Sequence, residues 1–160
     1  MAVEARHSAF LRNSRNQSPD PQAFETPLDP DDVYSLVAPY ITSCPSSNVD
    51  LGFTAFPSMT TGSTYRRQGT TVTFQLPKTF KFPSTSTQLY CAWPLITGPI
   101  WKDATPDTKT KTVSCQIPNS SELGPAGQVY AILTTSSASL TDAVTIAGPA
   151  VVNVLAPYLA

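Results

Sequence analysis

Residues 127–135 read GQVYAILTT. From Val129 to Leu133 the run is apolar on both faces. A strand with one wet side alternates polar and apolar residues. A strand without a polar side belongs in the middle of a sheet, covered above and below. This stretch predicts a central β-strand, and its neighbours have to come from the rest of the chain.

Those neighbours carry the period-2 signal. In TTVTFQL (70–76), Val72, Phe74 and Leu76 share one face, with threonines and Gln75 on the other. TVSCQI (112–117) puts Val113, Cys115 and Ile117 in phase, and QLYCAW (88–93) does so with Leu89, Cys91 and Trp93. VTIAGPAVVNVLA (144–156) is a long final strand interrupted by Gly148-Pro149, which suits a bulge or an edge. LGFTAF, STYRR and PLITGPIW are weaker candidates. Together these give about seven or eight short strands separated by turn signals, the spacing of a mainly β fold. The expected architecture is an immunoglobulin- or fibronectin-like β-sandwich. LGPAGQVY, a Leu and a Pro before a Tyr that enters an apolar strand, predicts a tyrosine corner at Tyr130.

The first part of the chain has a different period. VEARHSAFLR (3–12) reads as a short helix with Val3, His7 and Phe10 on one face and Leu11 beside them. NSRNQSPD then breaks it. In LDPDDVYSLVAPYI (28–41), Asp29 is an N-cap, Pro30 fits the first helical position, and Asp31 and Asp32 complement the helix N-terminus. Pro39 ends this second helix. The expected division is a helical arm over 1–43 and a β-sandwich over 44–160.

Composition agrees with one domain plus an appendage: 160 residues and 17.1 kDa, 41% hydrophobic. Only 13% of residues are charged, about half the usual share, so Ser, Thr, Asn and Gln must make the wet surface. That style suits an exported β-protein. The formal net charge of -1 gives no electrostatic footprint for nucleic acid or anionic lipid. Sixteen prolines argue against long helices, and no apolar run reaches the length of a membrane span. Glu4, Arg6 and His7 interrupt any signal-peptide h-region at the N-terminus.

Beyond these patterns, VEARHSAFLR followed by FETPLDPDDVYSLVAPYITSCPSSN (24–48) resembles the C-terminal end of the ferritin-like domain in fungal secreted, stress- and desiccation-related ferritin-like proteins. LGFTAFP and GQVYAILTTSSASLTDAVTIAGPAVV are similar to the β-domain that trails it. The resemblance implies an extracellular or cell-wall location. It also implies that Glu4 and His7 match the final Glu-x-x-His of the helical bundle. That unit is a metal-ligand pair in carboxylate-bridged bundles, which draw further ligands from other helices. Those ligands have no counterpart here. Iron or manganese is therefore expected only where several copies of the helix rebuild a site, and self-association through the arm is the expected route.

Other candidate sites follow from the residues themselves. Cys91 and Cys115 fall in the apolar phase of predicted strands, which favours a disulfide across the core over two buried thiols. Such a bridge stabilises by roughly 3 kcal/mol. Cys44, in SCPSSN, is then the odd thiol. Trp93 and Trp101 are candidates for a carbohydrate platform, with cell-wall polysaccharide as the partner, against a reading in which one is core. Asn16 and Asn119 open two glycosylation sequons. The residues weigh against an enzyme: one histidine obliges every Ser-His-Asp triad to recruit His7, and G-x-S-x-G and phosphate-loop patterns are missing. The functional expectation is a non-enzymatic structural or binding module. A metal-binding protein completed by oligomerisation is the first alternative, and a carbohydrate-binding module the second.

Overall fold

The computed structural model describes residues 2–16, 19, 25–62, 64–122 and 124–155. Two helices come first, α1 (Ala2–Ser14) and α2 (Pro30–Val37), the latter extended by a 3-10 turn over Ala38–Tyr40. Six strands follow: β1 (Thr71–Gln75), β2 (Leu89–Trp93), β3 (Ile100–Asp107), β4 (Thr112–Gln116), β5 (Gly127–Thr134) and β6 (Thr145–Val154). Every pairing is antiparallel, and the spatial order is β1-β4-β3-β2-β5-β6. The fold is mainly β and sandwich-like, with the short helices at its N-terminal side.

The alternating patterns place the core as their period requires. Val72 and Phe74 of β1, Val113 and Cys115 of β4, and Leu89, Cys91 and Trp93 of β2 all point inward and are buried. GQVYAILT is a central strand, flanked by β2 and β6. Its Val129, Ala131 and Leu133 join the same core. Ile132 faces the opposite way, opposite Ala92 of β2, and both are fully buried outside that core. Trp101, opposite Ala92 on β3, is half-buried on that outer side. Helix α2 packs against β6, and the Gly148 N–H donates to the Pro57 carbonyl at 3.0 Å.

One sheet becomes two layers at β3. Its first half, Ile100 to Ala104, pairs with β2, and its second half, Ala104 to Asp107, pairs with β4. Ala104 is paired on both sides and is the only buried residue of the strand. In a flat sheet β2 and β4 would lie two strand spacings apart, about 9.5 Å. The Cys91 and Cys115 Cα atoms are 6.3 Å apart and the residues are joined as a disulfide. Phe74 and Trp93, from strands three places apart in the sheet, meet with ring centroids at 6.5 Å. The β1/β4 layer thus lies over the β2/β5/β6 layer, and β3 bends from one to the other.

The open edges are covered by residues 57–70. Thr60 exchanges two backbone hydrogen bonds with Gln75 on β1, at 3.0 and 2.7 Å. Further along, the Arg66 N–H donates to the Asn153 carbonyl and its carbonyl accepts from Leu155, both at 2.8 Å. Thr60 thus blunts one edge and Arg66 the other, so the fold is nearly closed.

Three strand expectations are corrected. LGFTAF (51–56) forms no strand: two of its N–H groups go to the helix, Thr54 to Asp31 Oδ1 at 3.2 Å and Phe56 to Ser35 Oγ at 2.8 Å, and the Gly52 N–H goes to Asp50 Oδ1 at 2.9 Å. STYRR contributes only the single bridge at Arg66, and PLITGPIW enters a strand only at Ile100. The tyrosine corner is also absent. The Tyr130 hydroxyl accepts from Gln128 Nε2 on its own strand, at 3.0 Å.

The expected interruption at Gly148-Pro149 is a bulge. Ala131 pairs with Ala150 and Leu133 with Ala147, so Ile132 alone faces both Gly148 and Pro149. Gly148 has φ +109°, and a Cβ there would lie 3.0 Å from the Ala131 carbonyl oxygen. Gly98 has a similar φ of +106° but open space around it. Gly98→Ala therefore meets only the backbone penalty, about 1–2 kcal/mol, whereas Gly148→Ala adds a steric clash. Urea unfolding should show Gly148→Ala as clearly the more destabilised of the two. Equal losses would mean the bulge accommodates a side chain.

Candidate functional site

The richest concentration of ionisable groups is the seat of α2. Asp29 caps the helix in extended conformation (φ −80°, ψ 172°), and its Oδ1 accepts the Asp32 N–H at 3.0 Å. Asp32 returns the bond, its carboxylate accepting the Asp29 N–H. This is a reciprocal capping box built from two aspartates, with Pro30 at the first helical position as the sequence predicts. Asp31 faces the chain that runs beneath the helix and accepts from Thr54. Ser35 donates to the Asp31 carbonyl at 2.7 Å and accepts from Phe56. Tyr34 and Phe53 close the contact with ring centroids at 6.4 Å.

Asp32 is only 3% exposed. Burial, followed by the charges of Asp29, Asp142 and Asp31, pushes its carboxyl up to about 7. Asp142, from the turn before β6, shares a side-chain hydrogen bond with Asp29 and is also raised, first by desolvation and then by Asp29 and Asp31. The buried Asp32 thus has Asp29, Asp31 and Asp142 near enough to act on it. The run Asp29, Asp31, Asp32 marks three of these four in the sequence. Asp142 lies over a hundred residues away, and no local pattern points to it.

Glu4 and His7 both sit on α1, exposed, one helical turn apart. Among the described residues no group of three or more His, Cys, Asp or Glu side chains is placed to hold a metal ion.

The two tryptophans separate. Trp93 is 0% exposed, in the core against Phe74, and offers no face to a sugar, which corrects the expectation for that residue. Its large ring is the filler between the layers. Trp101, opposite Ala92 on β3, points outward and is half-buried. Cys44 is exposed and unbonded.

The sequon at Asn119 lies in a well-pinned turn. The Asn119 N–H donates to Glu122 Oε2 at 3.0 Å, and its carbonyl accepts from Glu122 and Gly124. Ser121 Oγ donates to Asn119 Oδ1 at 2.5 Å. Glu122 also pairs with Lys102, and that contact is the main cause of its lowered carboxyl pKa. In the other sequon Asn16 has positive φ (55°), and Gln17 and Ser18 lie outside the described residues.

Trp93→Ala should cost about 3–5 kcal/mol in denaturant unfolding, while Trp101→Ala should cost under about 1 kcal/mol. The reverse order would place the sugar-facing surface on Trp93 after all.

No protein-family model matches the chain, and no curated protein is similar to it. No helix among the described residues is long and apolar enough to cross a membrane.

Proposed function

We propose that this chain is a non-enzymatic β-sandwich module with a structural or binding role, and that its helical arm is the contacting part. The supporting observation is where apolar surface remains. Ten of the thirteen large apolar side chains exposed among the described residues lie before Thr54, seven of them in the arm over 1–43. Phe10 is 72% exposed, Tyr40 85% and Val49 82%. The sandwich, by contrast, hides its apolar residues and blunts both edges. Water-exposed aromatic and aliphatic groups concentrated on one segment favour association.

The partner in this reading is a second copy of the chain, α1 packing against α1. The resemblance to the end of a ferritin-like domain supports the same use of the helix, whose apolar face would lie inside a bundle. A role outside the cell, at a fungal cell wall or in a stress response, belongs to this reading. The Cys91–Cys115 bridge is compatible with an oxidising compartment.

Sedimentation velocity tests the proposal. The chain should self-associate at micromolar to tens-of-micromolar concentration, about the range of a modest interface. Phe10→Ser with Leu11→Ser should return it to monomer without changing its unfolding midpoint by more than about 0.5 kcal/mol equivalent. A monomer at every concentration would refute the arm as a self-association surface.

The metal-binding reading has one observation in its favour: Glu4 and His7 are exposed on the helix that would associate. Here the associated form should carry iron or manganese, and His7→Ala should remove the metal while leaving the association state unchanged.

A further inference from the structure

A cleft of about 450 Å³ opens beside the start of β6. Pro57, from the segment before β1, and Ile146 of β6 form one wall. The loop after β1 forms the other, with Pro77, Thr79, Phe80, Lys81 and Pro83. Small-molecule sites span roughly 300–1,000 Å³, so the volume is adequate for one.

The walls are fixed by bonds of their own. Three of the lining residues are prolines, whose φ is locked. The Pro57 carbonyl accepts the Gly148 N–H at 3.0 Å, which ties the first wall to β6. In the loop, the Phe80 N–H donates to the Pro77 carbonyl at 2.9 Å. Lys111 Nζ, from the turn between β3 and β4, donates to the Phe80 carbonyl at 2.9 Å and lies 5.7 Å from the centroid of the Phe82 ring. Phe80 and Phe82 meet edge to face with centroids at 5.0 Å, and both pack on the core. Walls held this way need little ordering when a ligand enters.

The chemistry of the lining selects the ligand. Phe80, Ile146 and the prolines give apolar surface. Lys81 is the one charged residue of the lining. It is exposed, and it makes no ion pair with any described residue. The segment from Pro77 to Gln88 carries Lys78 and Lys81 and no acid. A lone cation at the rim of an apolar cleft complements one negative charge on an apolar body. Thr79 adds a hydroxyl that can donate or accept.

We propose that this cleft is a binding site for a small amphipathic carboxylate, with its apolar part against Phe80, Ile146 and the prolines and its carboxylate on Lys81 Nζ. Binding is non-covalent and needs no other reactant. Helix α1 lines no part of the cleft, so the inference stands independently of how the arm associates.

Amide-resolved NMR on the full chain tests this, with sodium octanoate as the probe and octanamide as its neutral counterpart. Octanoate should shift the amides of Thr79, Phe80, Lys81 and Ile146 saturably, with a Kd of about 1 mM. Octanamide should bind the same residues about three- to fivefold more weakly. Lys81→Gln should weaken octanoate to the level of octanamide. Thr79→Trp, at an exposed position where folding is not at risk, should fill the cleft and abolish both. Shifts that stay linear in octanoate, or that fall mainly outside the cleft, would overturn the site. Octanamide binding as tightly as octanoate would overturn the assignment of a carboxylate ligand.

Discussion

The bend in β3 at Ala104 is the constraint on which the rest of the molecule depends. A single antiparallel sheet of six strands has two faces and cannot bury both with so short a chain. By pairing first with β2 and then with β4, β3 lets the sheet fold onto itself. Its small, buried side chain permits the close approach. Only then do Cys91 and Cys115 come near enough to bond, and only then do Phe74 and Trp93 share one interior. The disulfide and the aromatic pair hold the two layers at the same place by different physics, one covalent and one by excluded water.

Folding over leaves two problems. The sheet still has edges, and Thr60 and Arg66 occupy them with backbone hydrogen bonds. The outer face of β2 and β5 carries Ala92 and Ile132, both fully buried, and α2 packs against the neighbouring β6. Helix α2 is short, and an eight-residue helix has little stability of its own. Its capping box, its proline and its contacts with Thr54 and Phe56 make up the difference. At this cap Asp32 is buried, and burial is the main cause of its raised carboxyl.

Much of this was legible in the residues. The alternation in TTVTFQL and TVSCQI and the two-faced run of GQVYAILTT follow directly from burial, and burial is what the structure repeats. The pairing of Cys91 with Cys115 follows from their shared apolar phase. Helix α2 could be read from its cap because Asp29-Pro30 acts locally. What could not be read depends on distant partners. LGFTAF has strand-like residues, yet two of its N–H groups are claimed by Asp31 and Ser35, whose positions no local pattern encodes. Tyr130 is the exception: it has the sequence context of a corner, yet its hydroxyl bonds locally to Gln128 on its own strand. Trp93 and Trp101 look alike in CAWPLITGPIW; their opposite fates come from strand phase and the β3 bend. The aspartate seat needs Asp142, which only the fold brings to Asp29.

The molecule that results is a nearly closed β-module whose exposed large apolar side chains lie mostly before Thr54. All of it rests on the two layers meeting at Cys91 and Cys115. The most direct test is non-reducing peptide mapping by mass spectrometry of protein alkylated in denaturant. The account predicts a single cross-linked peptide pair joining Cys91 to Cys115, with Cys44 alkylated. Cys44 linked to either partner, or three alkylated cysteines, would contradict the layered fold at its centre.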